Sequence, residues 1–331
     1  MTQPRTVVLT LSPQSPDPAA LAAAAAVLKR GGLVAVPTET VYGLGANALD
    51  ADAASRIFEA KDRPADNPLI VHVDSLEMAR SLVADWPEAA ERLARAFWPG
   101  PLTLVLPKAS RVPDLVTAGL PAVALRMPAH PVALALIREA GLPIAAPSAN
   151  RSGRPSPTDA AHVLADMDGR IDMILDGGPA AVGIESTVLS LLSDPPMVLR
   201  PGGVSLDQLR EIDPRIGYGA DHGKVSPGTR YRHYAPKAPV SRIAGREAIA
   251  AEARRLHAEG QAIGVLTHEP MTLDAGIVVV QIPAEPDGYA AEFYRALRTL
   301  DAHGLDRILL LDPPTSGRWD AVRDRVVRAS S

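Results

Sequence analysis

Short apolar runs alternate with helical periodicity along most of the chain, and that alternation restricts the fold more than any other feature. The runs fall at Leu33 to Val36, Leu69 to Val73, Thr103 to Leu106, Val123 to Arg126, Ile144 to Ala146, Met173 to Leu175, Thr187 to Leu191 and Met197 to Leu199. Runs this short, bounded by turn residues, read as strands. Helical patterns at Asp52 to Lys61, Pro87 to Phe97, Pro131 to Ala140 and Thr158 to Asp166 separate several of them, with Thr158 as a helix cap. The expectation is an α/β domain over 5–211 with a twisted, mixed sheet.

From 240 to 331 the pattern becomes simpler. Strands are expected at Val240 to Ile243, Ala262 to Thr267, Gly276 to Ile282 and Arg307 to Leu311. Helices are expected at Glu247 to Glu259, Tyr289 to His303 and Asp320 to Ala329, giving a smaller, mostly parallel, Rossmann-like domain without a glycine-rich phosphate loop. Between the two lies 212–239, rich in Gly, Pro and aromatic residues and read as a linker. It also carries Arg230, Arg232, His233 and Lys237, with no acid from Ser226 to Pro236, so that part is expected to act as an active-site lid.

With 331 residues the chain exceeds the usual size of one domain. Net charge is 34 − 38 = −4, so no global field advertises nucleic acid or membrane, and any anion site must be local. The absence of cysteine excludes disulfides, thiolate catalysis and cysteine-ligated metals, and fits a cytoplasmic location. The apolar run Ala19 to Leu28 is too short to span a bilayer. Asp17 and Pro18 before it, and Gly31-Gly32 after it, are start and stop signals for a soluble helix, and no signal peptide is expected.

The stretch Pro37 to Val73 concentrates unusual chemistry in what read as loops: Thr38, Glu39, Thr40, Tyr42, Gly43 and Gly45, then Lys61, Arg63, Asn67 and Pro68. Hydroxyls, glycines and cations together point to an anion site. Gly43 to Ala48 formally matches the dinucleotide fingerprint, but the fingerprint should run from strand directly into helix, and a turn is expected at Asn47 to Asp50. Lys61 and Arg63 either complement a helix dipole or, with Asn67 beside them, bind phosphate. His72 is either a satisfied strand residue or a ligand group. Arg126 either pairs with a nearby acid or clasps a substrate carboxylate. The segment Ala146 to Thr158 supplies Ser148, Asn150 and Ser156, while Ser186-Thr187 and Arg200 sit at further strand ends. Ligand sites in α/β proteins form at strand ends. No Walker A, HExxH or GxSxG string occurs, and the histidines lack metal-ligand spacing.

PTETVYGLG, KDRPADNPLIVHV, PGPLT, ALRMP, PSANRSGRPSPT, STV and LRPG, in that order, resemble the YrdC-type domain, and SPGTRYRHYAP resembles the linker of the long, two-domain L-threonylcarbamoyladenylate synthases. The resemblance covers nearly the whole chain. It implies an enzyme that joins L-threonine, bicarbonate or CO₂, and ATP into threonylcarbamoyl-AMP with release of pyrophosphate, with Mg²⁺ carried mainly by the ATP phosphates and no metal ligand from the protein. Other proteins would then transfer the group to an adenosine of tRNA, with at most weak RNA contact by this chain and no membrane partner. By similarity, threonine would be met by Thr40, His72, Arg126, Ser186 and backbone near Ala146. ATP would be met by Lys61, Arg63, Asn67, Ser148, Asn150, Ser156, Arg200, Tyr234 and backbone near Ala122. No residue is assigned as acid or base; Lys61 and Arg63 would stabilise charge. Thr229 stands where the family's linker has methionine and Ser190 where aspartate follows STV, while the C-terminal ending keeps only an Asp-Arg and an Arg-Ala pair of the family's terminal pattern. An RNA-binding module without synthase activity is the alternative, and its affinity would fall steeply with salt. Carbamoyl transfer of the hydrogenase-maturation type lacks its acylphosphatase and zinc-finger segments here.

Overall fold

The computed structural model describes residues 5–219 and 234–330. They divide into two compact units, one of 5–152, 157–181 and 185–219, the other of 153–156, 182–184 and 234–330. The basic half of the expected lid, including Arg230, Arg232 and His233, lies outside the described residues, as does Thr229.

The larger unit is one mixed sheet of eleven strands. They are β1 (Val7–Thr10), β2 (Val34–Val36), β3 (Gly43–Asn47), β4 (Ile70–His72), β5 (Leu102–Pro107), β6 (Ala122–Arg126), β7 (Ile144–Ala145), β8 (Met173–Asp176), β9 (Thr187–Ser190), β10 (Met197–Arg200) and β11 (Gly217–Tyr218). Their order is β1-β8-β2-β3-β7-β4-β6-β5-β9-β10-β11. β4 runs parallel to β6, and β5 parallel to β9, whereas β2 and β3 form an antiparallel pair. One face packs on helices Pro18–Lys29 and Pro131–Ala140, with Leu28, Val132 and Leu136 fully buried. A larger core on the other face takes in Ile57, Leu93 and Val163 from helices Ala51–Lys61, Glu88–Phe97 and Ala160–Met167.

Three local expectations are corrected. The chain between Pro37 and the Asp52 helix is not all loop, because Gly43–Asn47 is strand β3. Its glycines hid it from apolar periodicity, yet they are what the pairing needs. A Cβ on Gly45 would stand 2.9 Å from Ile144 Cγ2 and 3.1 Å from the Val34 carbonyl, and one on Gly43 would stand 3.2 Å from Ala146 Cβ. Strand β1 is a further apolar run, Val7 to Leu9, that is not among the expected strands. The helix expected from Thr158 begins at Ala160, and its cap is Asp159, whose carboxylate accepts from the His162 amide at 2.8 Å. Within the stretch expected to link the domains, β11 pairs in parallel with β10.

The helix Ala51–Lys61 starts on Asp50, which accepts from the amides of Asp52 and Ala53. It ends in a Schellman turn: Asp62 takes a left-handed φ of 51°, its amide donates to the Glu59 carbonyl at 3.2 Å, and the Arg63 amide donates to the Phe58 carbonyl at 2.9 Å. This turn fixes Lys61 and Arg63 on either side of a chain reversal.

The smaller unit is a four-stranded, wholly parallel sheet of β12 (Val240–Ile243), β13 (Ile263–Thr267), β14 (Val278–Gln281) and β15 (Arg307–Leu311), in the order β12-β15-β13-β14. Helices Arg246–Ala258, Pro286–Asp301 and Asp320–Ala329 accompany it. The backbone at Gly183 presses on the helix Pro286–Asp301, because a Cβ there would lie 2.4 Å from the Ala290 carbonyl oxygen. No helix among the described residues is long and apolar enough to cross a membrane.

Replacing Gly45 by valine should overpack the β2–β3–β7 region, and overpacking costs about 1–3 kcal/mol. Denaturant unfolding of the variant should therefore show a lower midpoint at unchanged slope; an unchanged midpoint would contradict the packing described.

Candidate active site

Arg126 ends β6 with its side chain almost wholly buried. Its Nη1 donates to Thr40 Oγ1 at 2.8 Å, its Nη2 to Glu39 Oε1 at 2.6 Å, and its Nε to the Gly100 carbonyl at 3.2 Å. Each terminal nitrogen thus keeps one further N–H, a pair that suits a second carboxylate. Thr40 is held in turn by Thr38, hydroxyl to hydroxyl at 2.8 Å, and Thr38 donates to the Val41 carbonyl at 2.6 Å.

Glu39 was visible in the sequence as part of an unusual loop but received no role. Its other carboxylate oxygen accepts from the Ala129 amide at 3.0 Å, so one acid ties the loop after β2 to both the end and the aftermath of β6. An acid beside a threonine at a strand end, with an arginine ending another strand, was the available signal.

His72 ends β4 in register with Arg126 on one side and Ile144 on the other, so the three side chains share a face. Burial, and then the neighbouring Arg126 charge, hold its imidazole down to about 3. It is therefore neutral at physiological pH. Its Nδ1 is buried without a hydrogen-bond partner. Beside it a recess of about 10 Å³, room for roughly one water or methyl, is lined by Val36, Thr38, His72, Pro128, Ile144 and Ala146 among others. The Ala146 amide is spent on the Ile70 carbonyl at 2.9 Å, which fixes the start of the loop that follows.

Ser186 precedes β9 and shares a 2.8 Å hydroxyl contact with Thr103. Arg200, ending β10, donates from Nη2 to the Ser186 carbonyl at 2.8 Å and to its hydroxyl at 3.3 Å. Gly202 makes that approach feasible: a Cβ there would stand 2.3–2.4 Å from backbone atoms of 185–187. Ser190 ends β9, and its hydroxyl accepts from the Leu192 amide at 3.3 Å.

The second group gathers around Lys61. Its ammonium is buried and donates at 2.5 Å to each of the Ser148 and Asn150 carbonyls, while the Lys61 carbonyl accepts from the Ser152 amide. Burial, and then the Arg63 charge, hold this lysine well below the ordinary lysine range, with Asp166 opposing. Two carbonyls take two of three N–H groups, leaving one that no described residue accepts. Arg63 donates from Nη2 to the Asn67 and Pro68 carbonyls, both at 3.2 Å. Ala122 begins β6 opposite Pro107 and is buried.

The structure thus brings together Thr40, His72 and Arg126 in one group, Ser186 and Arg200 in another, Lys61 with Ser148 and Asn150, and Arg63 with Asn67. Ser156 and Tyr234 belong to the smaller unit. Tyr234 is buried there against Tyr294.

A mixed α/β sheet with a buried arginine at one strand end and a buried lysine at a helix end is an arrangement found in enzymes that act on small molecules. Residues 26–202 match the family described as "Telomere recombination", which joins Sua5, YciO and YrdC, and residues 204–331 match "Threonylcarbamoyl-AMP synthase, C-terminal domain". The chain belongs to the threonylcarbamoyl-AMP synthase family, in its two-domain form. It is 47% identical to the threonylcarbamoyl-AMP synthase of Pyrococcus abyssi over 319 residues, 93% of each protein. Identity to the Bacillus subtilis enzyme is also 47%, over 94% of this chain and 92% of that one. The crystal structure of P. abyssi Sua5 complexed with L-threonine superposes with a TM-score of 0.92 at 45% identity and covers 98% of both chains.

Two measurements check this geometry. His72 has a folded-state pKa below its unfolded value, so its neutral form contributes stability that is complete above pH 6.5 and is lost as pH falls toward about 3. Between pH 7 and pH 5 the protein should lose about 2 kcal/mol more stability than the His72→Asn variant. Equal losses would show that His72 is not held neutral. Glu39→Gln removes the negative partner of Arg126 while preserving shape; threonine affinity should change at least severalfold, with ATP affinity unaltered, as followed by calorimetry.

Proposed function

We propose that this chain condenses L-threonine, bicarbonate or CO₂, and ATP into L-threonylcarbamoyl-AMP, releasing pyrophosphate, and so supplies the activated group for threonylcarbamoyladenosine formation in tRNA. The observation that carries the reading is the buried Arg126, held by Thr40 and Glu39 with two N–H groups to spare. Those N–H groups fit the threonine carboxylate, and His72, Ser186 and the backbone at Ala146 complete the threonine side. The methyl-sized recess beside Thr38 and His72 suits the threonine side chain.

On the nucleotide side we assign Lys61, Arg63, Asn67, Ser148, Asn150, Arg200 and backbone at Ala122. Ser156 and Tyr234 come to it by family resemblance alone. The chemistry asks for little proton transfer. The threonine amine, as its free base, adds to CO₂ and gives up a proton, or condenses with bicarbonate and gives up water, to form a carbamate, and a carbamate oxygen attacks the α-phosphorus. The bond from that phosphorus to the bridging oxygen breaks, and pyrophosphate leaves with the electron pair. Charge grows on phosphate oxygens, where the remaining N–H of Lys61 and the guanidinium of Arg63 would be pre-set. Because Lys61 is already fixed by two carbonyls, little reorganisation accompanies that charge.

The groups assigned here are cationic or neutral, a donor set suited to phosphate oxygens more than to a metal ion. Mg²⁺ would therefore be held by the triphosphate, where it would neutralise charge on the leaving pyrophosphate. The carbamate and the mixed anhydride are both labile in water, so exclusion of solvent is part of the task. We place the product's consumers among tRNA threonylcarbamoyl-transfer proteins.

Pyrophosphate release from ATP should require both threonine and bicarbonate. Serine, lacking one methyl, should be used about 10–200-fold less efficiently. Release indifferent to the amino acid would overturn the assignment. Arg126→Ala should raise the threonine requirement roughly a hundredfold, since charged hydrogen bonds contribute about 1.5–3 kcal/mol each, with a much smaller effect on the ATP requirement. The opposite pattern would remove Arg126 from the threonine side.

A further inference from the structure

The C-terminal helix Asp320–Ala329 carries Asp324, Arg325 and Arg328. Nothing in the reaction as derived above uses them. Arg325 is nevertheless completely buried, and it is among the largest fully buried side chains of the protein. A buried cation is costly compared with a well-packed apolar side chain of the same volume, so its presence calls for something beyond packing.

What the guanidinium faces supplies the reason. Its carbon lies 5.7 Å from the centre of the Tyr234 ring. Nη1 donates to Asp324 Oδ2 at 2.6 Å, and the same carboxylate accepts from Arg328 Nε at 2.9 and 3.1 Å. Asp324 thereby fixes the arginine from behind. Tyr234 is itself constrained from other directions. Its φ is 67°, in the left-handed region that an aromatic residue rarely adopts. Its ring meets Tyr294 at 5.3 Å with an interplanar angle of 37°. The next residue, Ala235, donates its amide to the Gly153 carbonyl at 2.9 Å, and Lys237 donates its amide to Asp301 at 2.6 Å. A cation over the ring prefers one face and one orientation, so it selects a single arrangement of a side chain whose backbone is already unusual.

We propose that Arg325 is a positioning residue for the synthase reaction: held by Asp324, it locks the ring of Tyr234 in the orientation that serves the nucleotide. The proposal rests on Tyr234 acting on the nucleotide side. It gives the helix Asp320–Ala329 a part in the reaction without contact to any reactant.

A double-mutant cycle in the full-length protein tests it, with steady-state pyrophosphate release measured against ATP and against threonine. Arg325→Met preserves the buried volume. It should raise the KM for ATP about tenfold while leaving the KM for threonine and the melting temperature near parental values. Arg325→Lys, which restores a cation without the flat guanidinium, should recover part of the loss. Tyr234→Ala should show the same ATP-selective defect, and the double variant Tyr234→Ala with Arg325→Met should be no worse than Tyr234→Ala alone. Multiplicative defects, or an ATP requirement untouched by Arg325→Met while Tyr234→Ala is impaired, would overturn the positioning role and leave the reading of Tyr234 standing. A Tyr234→Ala protein with parental ATP kinetics would overturn the reading of Tyr234, and the proposal with it. Should Arg325→Met not fold, the same cycle with Asp324→Asn, which loosens the arginine without removing it, decides on the same criteria.

Discussion

A guanidinium taken out of water must be neutralised and fully hydrogen-bonded, and the larger unit is arranged around meeting that demand at Arg126. Glu39 supplies the charge, Thr40 and the Gly100 carbonyl supply acceptors, and these come from the segment after β2 and the turn before β5. Strands far apart in sequence are thereby fastened at their ends. The same geometry that stabilises the buried charge uses one N–H of each terminal nitrogen, so the guanidinium is held without being saturated by the described residues. Thr38 and the His72 strand end surround it with groups that carry no charge of their own at neutral pH.

Lys61 follows a different logic. Arg126 is paired directly with a carboxylate, whereas the lysine is hydrogen-bonded by two carbonyls and sits beside a second cation, Arg63, with Asp166 acting on it without a direct ion pair. Asp166 is the acid whose field opposes the downward shift of the lysine. The two ends of the stretch from Pro37 to Val73 therefore differ in kind: at one a carboxylate pairs directly with the Arg126 guanidinium, at the other backbone carbonyls hold a buried ammonium.

Much of this could be read from the sequence because strand ends announce themselves. Apolar runs ending at Val73, Arg126 and Leu199 set His72, Arg126 and Arg200 at or beside strand ends, and the strands of the structure end within a residue of those positions. The second sheet was legible as mostly parallel, since most of its runs of Val, Ile and Leu are separated by long amphipathic helices, whereas β13 and β14 pair in parallel with no helix between them. What stayed hidden had specific causes. Strand β3 is built from glycines chosen for close approach, which carry no periodic signal. The role of Glu39 depends on β6, far away in sequence, and a single acid has no spacing to betray it. Thr158 and Asp159 are both good caps, and only the turn geometry separates them. Arg325 was lost in an otherwise ordinary amphipathic helix, because the chain alone does not tell which of its arginines faces inward.

The in-register pairing of β4 with β6 has an effect on how such a chain can change length over time. His72 and Arg126 share a face only because each strand keeps its alternation, with Ile144 of β7 fixing β4 from the other side. A single-residue insertion or deletion inside either strand would turn one partner to the opposite face and leave the other alone. Lengthening at the exposed turn of Ser110 and Arg111, between β5 and β6, changes the alternation of neither strand. Drift in chain length is thus channelled into connections, while three very short strands act as fixed rulers whose tolerance is zero residues.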